Sequence, residues 1–592
     1  MKPSRESLWV GRVIPDAPLG CAAQARRVRD NPPYLGGFSR LAALLGWVSF
    51  TGVVTSTAQA ANAGTAVAAN PRAGLQWLDW LVVALYAAAV LGIGWRASRK
   101  KKTTVEFFLG DRGFGSLAIG ISMFVTLFST ISYLSGPGEV IRYGPGIFFG
   151  SLLAIPFSYP VLAYVLLPAL MKRRVVSMYE LFETRLGARI RTLGATMFIV
   201  YRTLWMAVLM HFGSVALSVI LGVGDDVVPY ITIAAGLIAV IYTSMGGLRA
   251  VITVDVLQFT VLLIGVISTL AVVTARFGGF GWMPTEWNPQ WSNQPFFSID
   301  PTVRVTVVTA AILAFMLDTA HGVDQTQVQR YMASADLTQA RRAVLVRIIG
   351  SAVTWTFLVL LGLALTAFYQ RYAAALPAGQ TFASFADKTF PHFIANELPI
   401  GISGLVVAAI LSGMSSIDSG VSAITAVVMN DFIGRRGQPV RDEAAQSRLA
   451  TRLTYAAGAL VIGTSLLITW VPGNFYEIAS RTFRLFIPIE LGLVILALFI
   501  RSATPFGVVW GIVYGLGLGV LISYWQIFTA STGISFTLYI PCILTIQLIV
   551  SCLVSLLPTR GAPVSRLVAF SVLLLLVLGA IVAGALRIEG TL

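Results

Sequence analysis

Charge is what this chain lacks most: Asp, Glu, Lys and Arg make up 11% of its 592 residues, where a soluble domain carries about 25%. Hydrophobic residues reach 56% and the mean hydropathy is +0.80. Apolar runs of roughly 18 to 25 residues recur along the chain, so a polytopic membrane protein is the class that fits. Cysteine is nearly absent too. Cys21, Cys542 and Cys552 show no ligand spacing, and two of them fall inside apolar runs, which excludes a disulfide framework or a cysteine metal cluster. The three histidines, His211, His321 and His392, are too scattered to hold haem pairs or a catalytic metal. No GxxxxGK[ST] motif occurs and no stretch has room for a nucleotide domain, so neither an ATP-driven pump nor a receptor kinase is expected. The net charge of +16 does not point to nucleic acid, because the basic residues sit in short loops between apolar runs, where they set topology.

Three segments follow from composition. Residues 1–60 combine a basic, Pro- and Gly-rich stretch without a periodic apolar face with LAALLGWVSFTGVV and the small-residue site Ala58-Gln59-Ala60. This predicts a disordered leader ending in a cleavable signal; an internal start or a retained extra helix is the competing reading. Residues 61–77 form a short extracytoplasmic segment, and 78–592 the transmembrane domain. About fourteen spans are predicted there, near 78–96, 116–137, 147–170, 195–221, 228–244, 250–275, 304–327, 344–368, 399–430, 452–471, 475–500, 505–527, 534–557 and 566–586. The loops containing WRASRKKK, MKRR with RLGARIR, QRYMASADLTQARR, and GRRGQPVR with SRLATR all fall on one side. That side is expected to be cytoplasmic in a bacterial-type inner membrane, with both mature termini outside.

Four stretches carry candidate chemistry. SMFVTLFSTISYLSGPGE, in the second span, is rich in hydroxyls and closed by Gly136-Pro137-Gly138, which predicts an interrupted helix exposing carbonyls to a small cation; an ordinary span with self-bonded hydroxyls is the alternative. In ILSGMSSIDSGVSAITAVVMNDF, Ser412, Ser415, Ser416 and Ser419 follow i, i+3, i+4, i+7 and share one helical face. Such a stripe is either a packing surface or a hard-cation site of neutral oxygens, and the flanking acid Asp418 favours the cation. FMLDTAHGVDQTQVQRY places Asp318, His321, Gln325 and Gln329 near one stripe of a continuous helix, with His321-Gly322 offering a break. A stripe this polar lines a cavity or the bundle interior; for Gln327 and Gln329, structural packing is the expectation. Arg202, in FIVYRTLWMAV, either snorkels to the headgroups or faces a solute. Finally, GGLRAVITVDVLQF reads as a Gly-Gly turn leading into an apolar helix that carries Asp255 and Gln258 about one turn inside its start.

Taken together, GGLRAVITVDVLQF, GVDQTQVQRY, SGMSSIDS and FFLGDRGFG, in that family's order along the chain, resemble the sodium:solute symporter family. The resemblance implies an all-α membrane protein with the leucine-transporter-type 5+5 inverted repeat, its core repeats near 116–275 and 304–500. It implies sodium as coupling ion and no other cofactor, held by the backbone carbonyls of Val125, Phe128 and Ser412 and the hydroxyls of Ser415 and Ser416. A second sodium is implied at Asp255, Asp418 and Ser419 with Ser415. Ser132, Arg202, Asp318, His321, Asp324 and Gln325 are the candidates for contact with the solute. Asp324 and Thr326 stand where the family's sugar transporters have an amide and an aromatic gate, while Arg202 lies about one turn from the arginine with which its sialic acid transporters meet a carboxylate. A monocarboxylate or sugar acid is therefore the expected solute, with a neutral sugar or polyol next. A sodium-independent facilitator, a sensor without flux, and proton coupling through Asp255 and Asp418 are the rival functions.

Overall fold

The computed structural model describes residues 74–98, 114–172, 177–291, 295–298, 300–376, 382, 385–413, 416–434, 443–468, 484–525, 529 and 533–557. The predicted leader and signal, most of FFLGDRGFG, Ser415 and the span expected at 566–586 lie outside the described residues. Within them, every regular element is helical. The first half comprises α1 (Trp77–Ser98), α2 (Ser116–Leu127), α3 (Thr130–Tyr143), α4 (Gly146–Pro160, continued through a π turn to Met171), α5 (Met178–Leu186), α6 (Ala188–Leu221) and α7 (Val228–Arg276). The chain continues with α8 (Val307–His321), α9 (Gln325–Met332), α10 (Leu337–Arg371), α11 (Ala386–Asn396), α12 (Ile402–Gly413) and α13 (Ser416–Val427). Last come α14 (Glu443–Ile468), α15 (Ile487–Phe499), α16 (Pro505–Ser523) and α17 (Tyr539–Ser555).

Nine of the described helical stretches are long and apolar enough to cross a membrane, or eleven when each of two bent pairs counts as one span. Eleven of the fourteen expected spans are therefore recovered. Of the other three, the 475–500 span is described only from Arg484 and holds the shorter α15, the 566–586 span is outside the described residues, and the 228–244 span is the first part of α7. The Gly246-Gly247 turn expected there is instead helical backbone. Lipid leaves an open peptide group nothing to bond, at a cost of several kcal/mol, so the chain keeps its i→i−4 bonds through glycines that could have turned. At 1.5 Å per residue the 49 residues of α7 would extend about 74 Å, far more than one crossing of a roughly 30 Å hydrocarbon layer.

Helix breaks, not turns, shape the centre. The α2–α3 pair bends by 67° and the α8–α9 pair by 58°. The first break lies at Phe128–Ser129, within the stretch that predicted it, and α3 is continuous through Pro137. Its flanking glycines serve contact rather than chain reversal: a Cβ on Gly138 would come 2.9 Å from the Ala386 carbonyl oxygen, and one on Gly136 would come 3.1 Å from the Trp355 ring. What ends α2 is Ser129, whose backbone is extended and whose Oγ accepts the Ser132 N–H to start α3 afresh. At the second break, Asp324 does the same for α9 by accepting the Thr326 N–H at 2.7 Å.

Burial sorts the helices into a core and a lipid-facing shell. The span Ile402–Ile433, containing α12 and α13, has 93% of its apolar window buried, against 22% for α1. Helix α1 is fixed to that core by one carboxylate. Asp79 Oδ1 accepts the N–H groups of Gly401 (2.7 Å) and Gly404 (2.8 Å), satisfying donors that the first turn of α12 cannot bond internally. The approach requires Gly404, since a Cβ there would lie 2.5 Å from the Asp79 backbone. Gly404→Val is expected to lose about 1–3 kcal/mol by pushing α1 outward, read as a lower unfolding temperature of the purified protein. An unchanged transition would show that α1 is not held at this contact.

Candidate functional site

The break in α2–α3 leaves the last carbonyls of α2 without helical partners. Phe128 N–H still bonds Phe124 O at 2.8 Å, but the carbonyls of Val125 and Phe128 turn toward the first residue of α13. There the Ser416 hydroxyl lies 3.2 Å from Phe128 O and 3.5 Å from Val125 O, fully buried. Oxygens held 2.3–2.6 Å from a hard cation at right angles stand about 3.3–3.7 Å apart, the range known for calcium, an ion of nearly sodium's size. The spacing suits such an ion. So does the field, because the C-terminal end of α2 carries the negative pole of its helix dipole. Ser412 also faces inward, bonding Ala408 O at 2.8 Å and the Tyr86 hydroxyl at 3.0 Å; Ser415, the remaining candidate, is outside the described residues.

Asp255 does not stand beside an empty space. Its Oδ2 accepts from the Ser122 hydroxyl at 2.5 Å and from Arg330 Nη2 at 3.2 Å. Arg330 Nη2 also reaches Ser419 Oγ (2.9 Å), Nε reaches Ser122 Oγ (2.7 Å) and Nη1 caps the Thr326 carbonyl (2.9 Å). The guanidinium thus bridges Asp255 and Ser419, two of the residues suggested for a second sodium. Asp418 Oδ1 accepts from the adjacent Ser419 N–H at 2.8 Å. Arg330 is a buried partner of the candidate residues that sequence reasoning missed. The signal was available: an acid buried in an apolar helix needs a partner, and Arg330 stands in GVDQTQVQRY on the same polar segment as the other candidates.

A cavity of about 390 Å³ opens beside the helix break. Phe128, Ser132, Asp318, His321, Arg347 and Trp355 are among the residues that line it. Ser132, Asp318 and His321 of the candidate solute residues are therefore brought together; Arg202, Asp324 and Gln325 do not line it. The bend at Gly322–Asp324 separates the two groups, so the polar stripe expected of a continuous helix is divided. Gln325 Oε1 accepts the Met178 N–H at 2.8 Å and anchors the start of α5, while Gln327 Nε2 donates to Met123 O at 3.1 Å. Asp324 accepts from Tyr201 and Thr326 and lies 3.8 Å from Arg202 Nη1. Arg202 is neither snorkelling nor in the cavity; it is 2% exposed in the core.

The comparisons agree with this architecture. The Sodium:solute symporter family matches residues 107–515. The Sodium-dependent multivitamin transporter of Oryctolagus cuniculus is 30% identical over 84% of this chain and 79% of its own length. Sodium-coupled monocarboxylate transporter 1 of Mus musculus is 29% identical over 75% and 72%, and the Sodium/sialic acid symporter SiaT of Proteus mirabilis (strain HI4320) is 27% identical over 74% and 88%. A solved Na+-coupled sialic acid symporter, in a substrate-bound outward-open state, has the same fold, with a TM-score of 0.69 and 23% identity over 81% of this chain and 98% of that one. The chain belongs to the sodium:solute symporter family. It is an integral membrane transporter rather than an enzyme.

The Asp255–Arg330 pair is testable as a buried ion pair. Arg330→Gln is expected to cost about 3–5 kcal/mol by leaving Asp255 uncompensated. The double variant Asp255→Asn/Arg330→Gln should recover part of that loss. Thermal unfolding of the two variants beside Asp255→Asn checks it; strictly additive losses would mean the two side chains are not coupled.

Proposed function

We propose that the chain is a sodium-coupled importer of a small organic anion, best read as a monocarboxylate or a sugar acid. The observation that carries the sodium part is the convergence of the Ser416 hydroxyl with the carbonyls of Val125 and Phe128 at the helix break. In this reading the Ser412 carbonyl and the Ser415 hydroxyl complete a site of about five neutral oxygens, a donor set that suits a monovalent ion held weakly enough to leave again. Sodium then ties α2 to α13. The Ser416 hydroxyl donates to Phe128 O and keeps lone pairs that it can present to a cation. We read one sodium site here, because the Arg330 guanidinium supplies the positive charge at Asp255 and Ser419 that a second ion would bring.

The solute part rests on the cavity. Its lining carries two arginines, Arg347 and Arg484, against one carboxylate, Asp318, on otherwise largely apolar and aromatic walls, which favours an anion over a neutral sugar. The monocarboxylate and sialic acid relatives point the same way. Phe128 belongs to both places, its carbonyl to the sodium site and its ring to the cavity wall, so filling one site prepares the other. External sodium stabilises the outward-open form, the solute binds, and both leave inward. The two broken helices, at the second and seventh expected spans, are read as equivalent elements of a 5+5 inverted repeat within fourteen spans. The basic loops face the cytoplasm of a bacterial-type inner membrane.

Ser416→Ala removes one of about five ligands and should raise the half-saturating sodium concentration roughly tenfold, about 1.4 kcal/mol, with uptake recovering at high sodium. Uptake of labelled carboxylates by proteoliposomes, with and without an inward sodium gradient, reads this out. Unchanged sodium dependence in the variant would move the ion elsewhere, and gradient-independent flux in the unmodified protein would make it a facilitator.

A further inference from the structure

We propose that Arg347 is the residue that binds the carboxylate of the solute, and that Asp318 is its resident counter-ion, displaced from the guanidinium when the solute arrives. The inference rests on the reading of this cavity as the site of an anionic solute. Arg347 lies in the third turn of α10, inside the expected 344–368 span, and is 4% exposed. A charge in that position is expensive unless it is paired and its donors are bonded. Only part of that requirement is met. Nη1 donates to Asp318 Oδ1 at 3.1 Å, while Nε and Nη2 are buried without a hydrogen-bond partner.

The geometry of those two atoms specifies the ligand class. Nε and Nη2 form one edge of the planar guanidinium, with parallel N–H groups at the spacing of the two oxygens of a carboxylate, the fork that gives a bidentate pair. Asp318 takes up Nη1, while the Nε and Nη2 edge of this cavity-lining residue is buried and bonded to no other group, so withdrawal of Asp318 is what frees the guanidinium to turn that edge to a solute. Two unbonded buried donors are worth more to a carboxylate than to a hydroxyl, because a charged acceptor satisfies both at once. The pair is also unequal. Arg347 is enclosed, whereas the Asp318 side chain is 28% exposed, so the acid can withdraw toward water while the base stays. Arg202 likewise has Nε and Nη2 unbonded, but it does not line the cavity. Position, not unsatisfied donors alone, selects Arg347.

Trp205 and Trp355 also line the cavity, so binding can be followed by tryptophan fluorescence on the purified full chain. The probes are pyruvate, gluconate, biotin and N-acetylneuraminate, with methyl pyruvate and N-acetylmannosamine as neutral counterparts, each at low and high sodium. The unmodified protein should respond saturably to at least one carboxylate, more tightly with sodium, and to neither neutral probe. Arg347→Gln should weaken that carboxylate at least tenfold. Arg347→Lys should fall between, keeping the charge but losing the fork. The double variant Asp318→Asn/Arg347→Gln, which removes both charges and leaves no buried ion unpaired, should be as weak as Arg347→Gln while its response to sodium alone stays within about twofold. Asp318→Asn alone should tighten the carboxylate, because a competitor for the guanidinium is gone; a purely structural ion pair would give the opposite sign. Carboxylate binding that survives in the double variant, or weakens in Asp318→Asn, overturns the inference and leaves the anion reading standing. Response of the unmodified protein to the neutral probes only overturns both.

Discussion

Everything in the centre of this molecule depends on one constraint: inside a lipid layer a peptide group has no water to bond, so a helix can be broken only where something else takes up its loose ends. At Phe128–Ser129 the chain accepts that difficulty. The serine caps the new helix, Phe128 N–H stays bonded to Phe124, and the carbonyls of Val125 and Phe128 are aimed at the Ser416 hydroxyl. The same solution recurs at Gly322–Asp324 with an aspartate as cap. At Gly246-Gly247, by contrast, the helix continues.

The intramembrane charges obey the same logic, and the way each acid is paired separates structure from function. Asp255 with Arg330 is sealed and multiply bonded. Asp324 with Arg202 is equally enclosed, and its carboxylate is spent on capping α9 and receiving Tyr201. Both pairs hold the broken segment α9 in place, one against α7 and one against α6. Asp318 with Arg347 differs in having one partly exposed partner and in lining the cavity, which the Arg202 pair, with the same two donors unbonded, does not.

How much of this was legible in the sequence follows from how local each signal is. The serine stripe was readable because hydroxyls at helical spacing beside an acid are a one-helix pattern, and Ser416 does meet the carbonyls of Val125 and Phe128. The second break was readable because His321-Gly322 interrupts a periodic segment. The position of the first was not: Gly136-Pro137-Gly138 is the stronger breaker by residue type, yet its glycines are used for contact with Ala386 and Trp355, and contacts between distant helices leave no local trace. The same holds for Arg330 and Arg347, whose partners lie 75 and 29 residues away. Gln325 misled for the opposite reason. Its place on the stripe was right for a continuous helix, and the bend turned it to α5.

Phe128 joins the two halves of the site. A residue at a helix break has backbone angles that no ladder fixes, so its carbonyl direction and its ring direction are free to change together. The Phe128 ring lies 5.0 Å from Phe124 and 5.9 Å from Trp355 between centroids, so under the proposed function a sodium that held the Phe128 carbonyl would also restrain this ring at the cavity wall. Coupling of 1–3 kcal/mol is typical between linked sites, and the loss of one rotamer-level freedom together with an aromatic contact of about 0.5–1.5 kcal/mol is of that size. No long relay is needed. Under the proposed function the ion and the solute would read the conformation of the same residue, and because linkage is reciprocal, a solute that packed the ring would also hold the carbonyl for sodium.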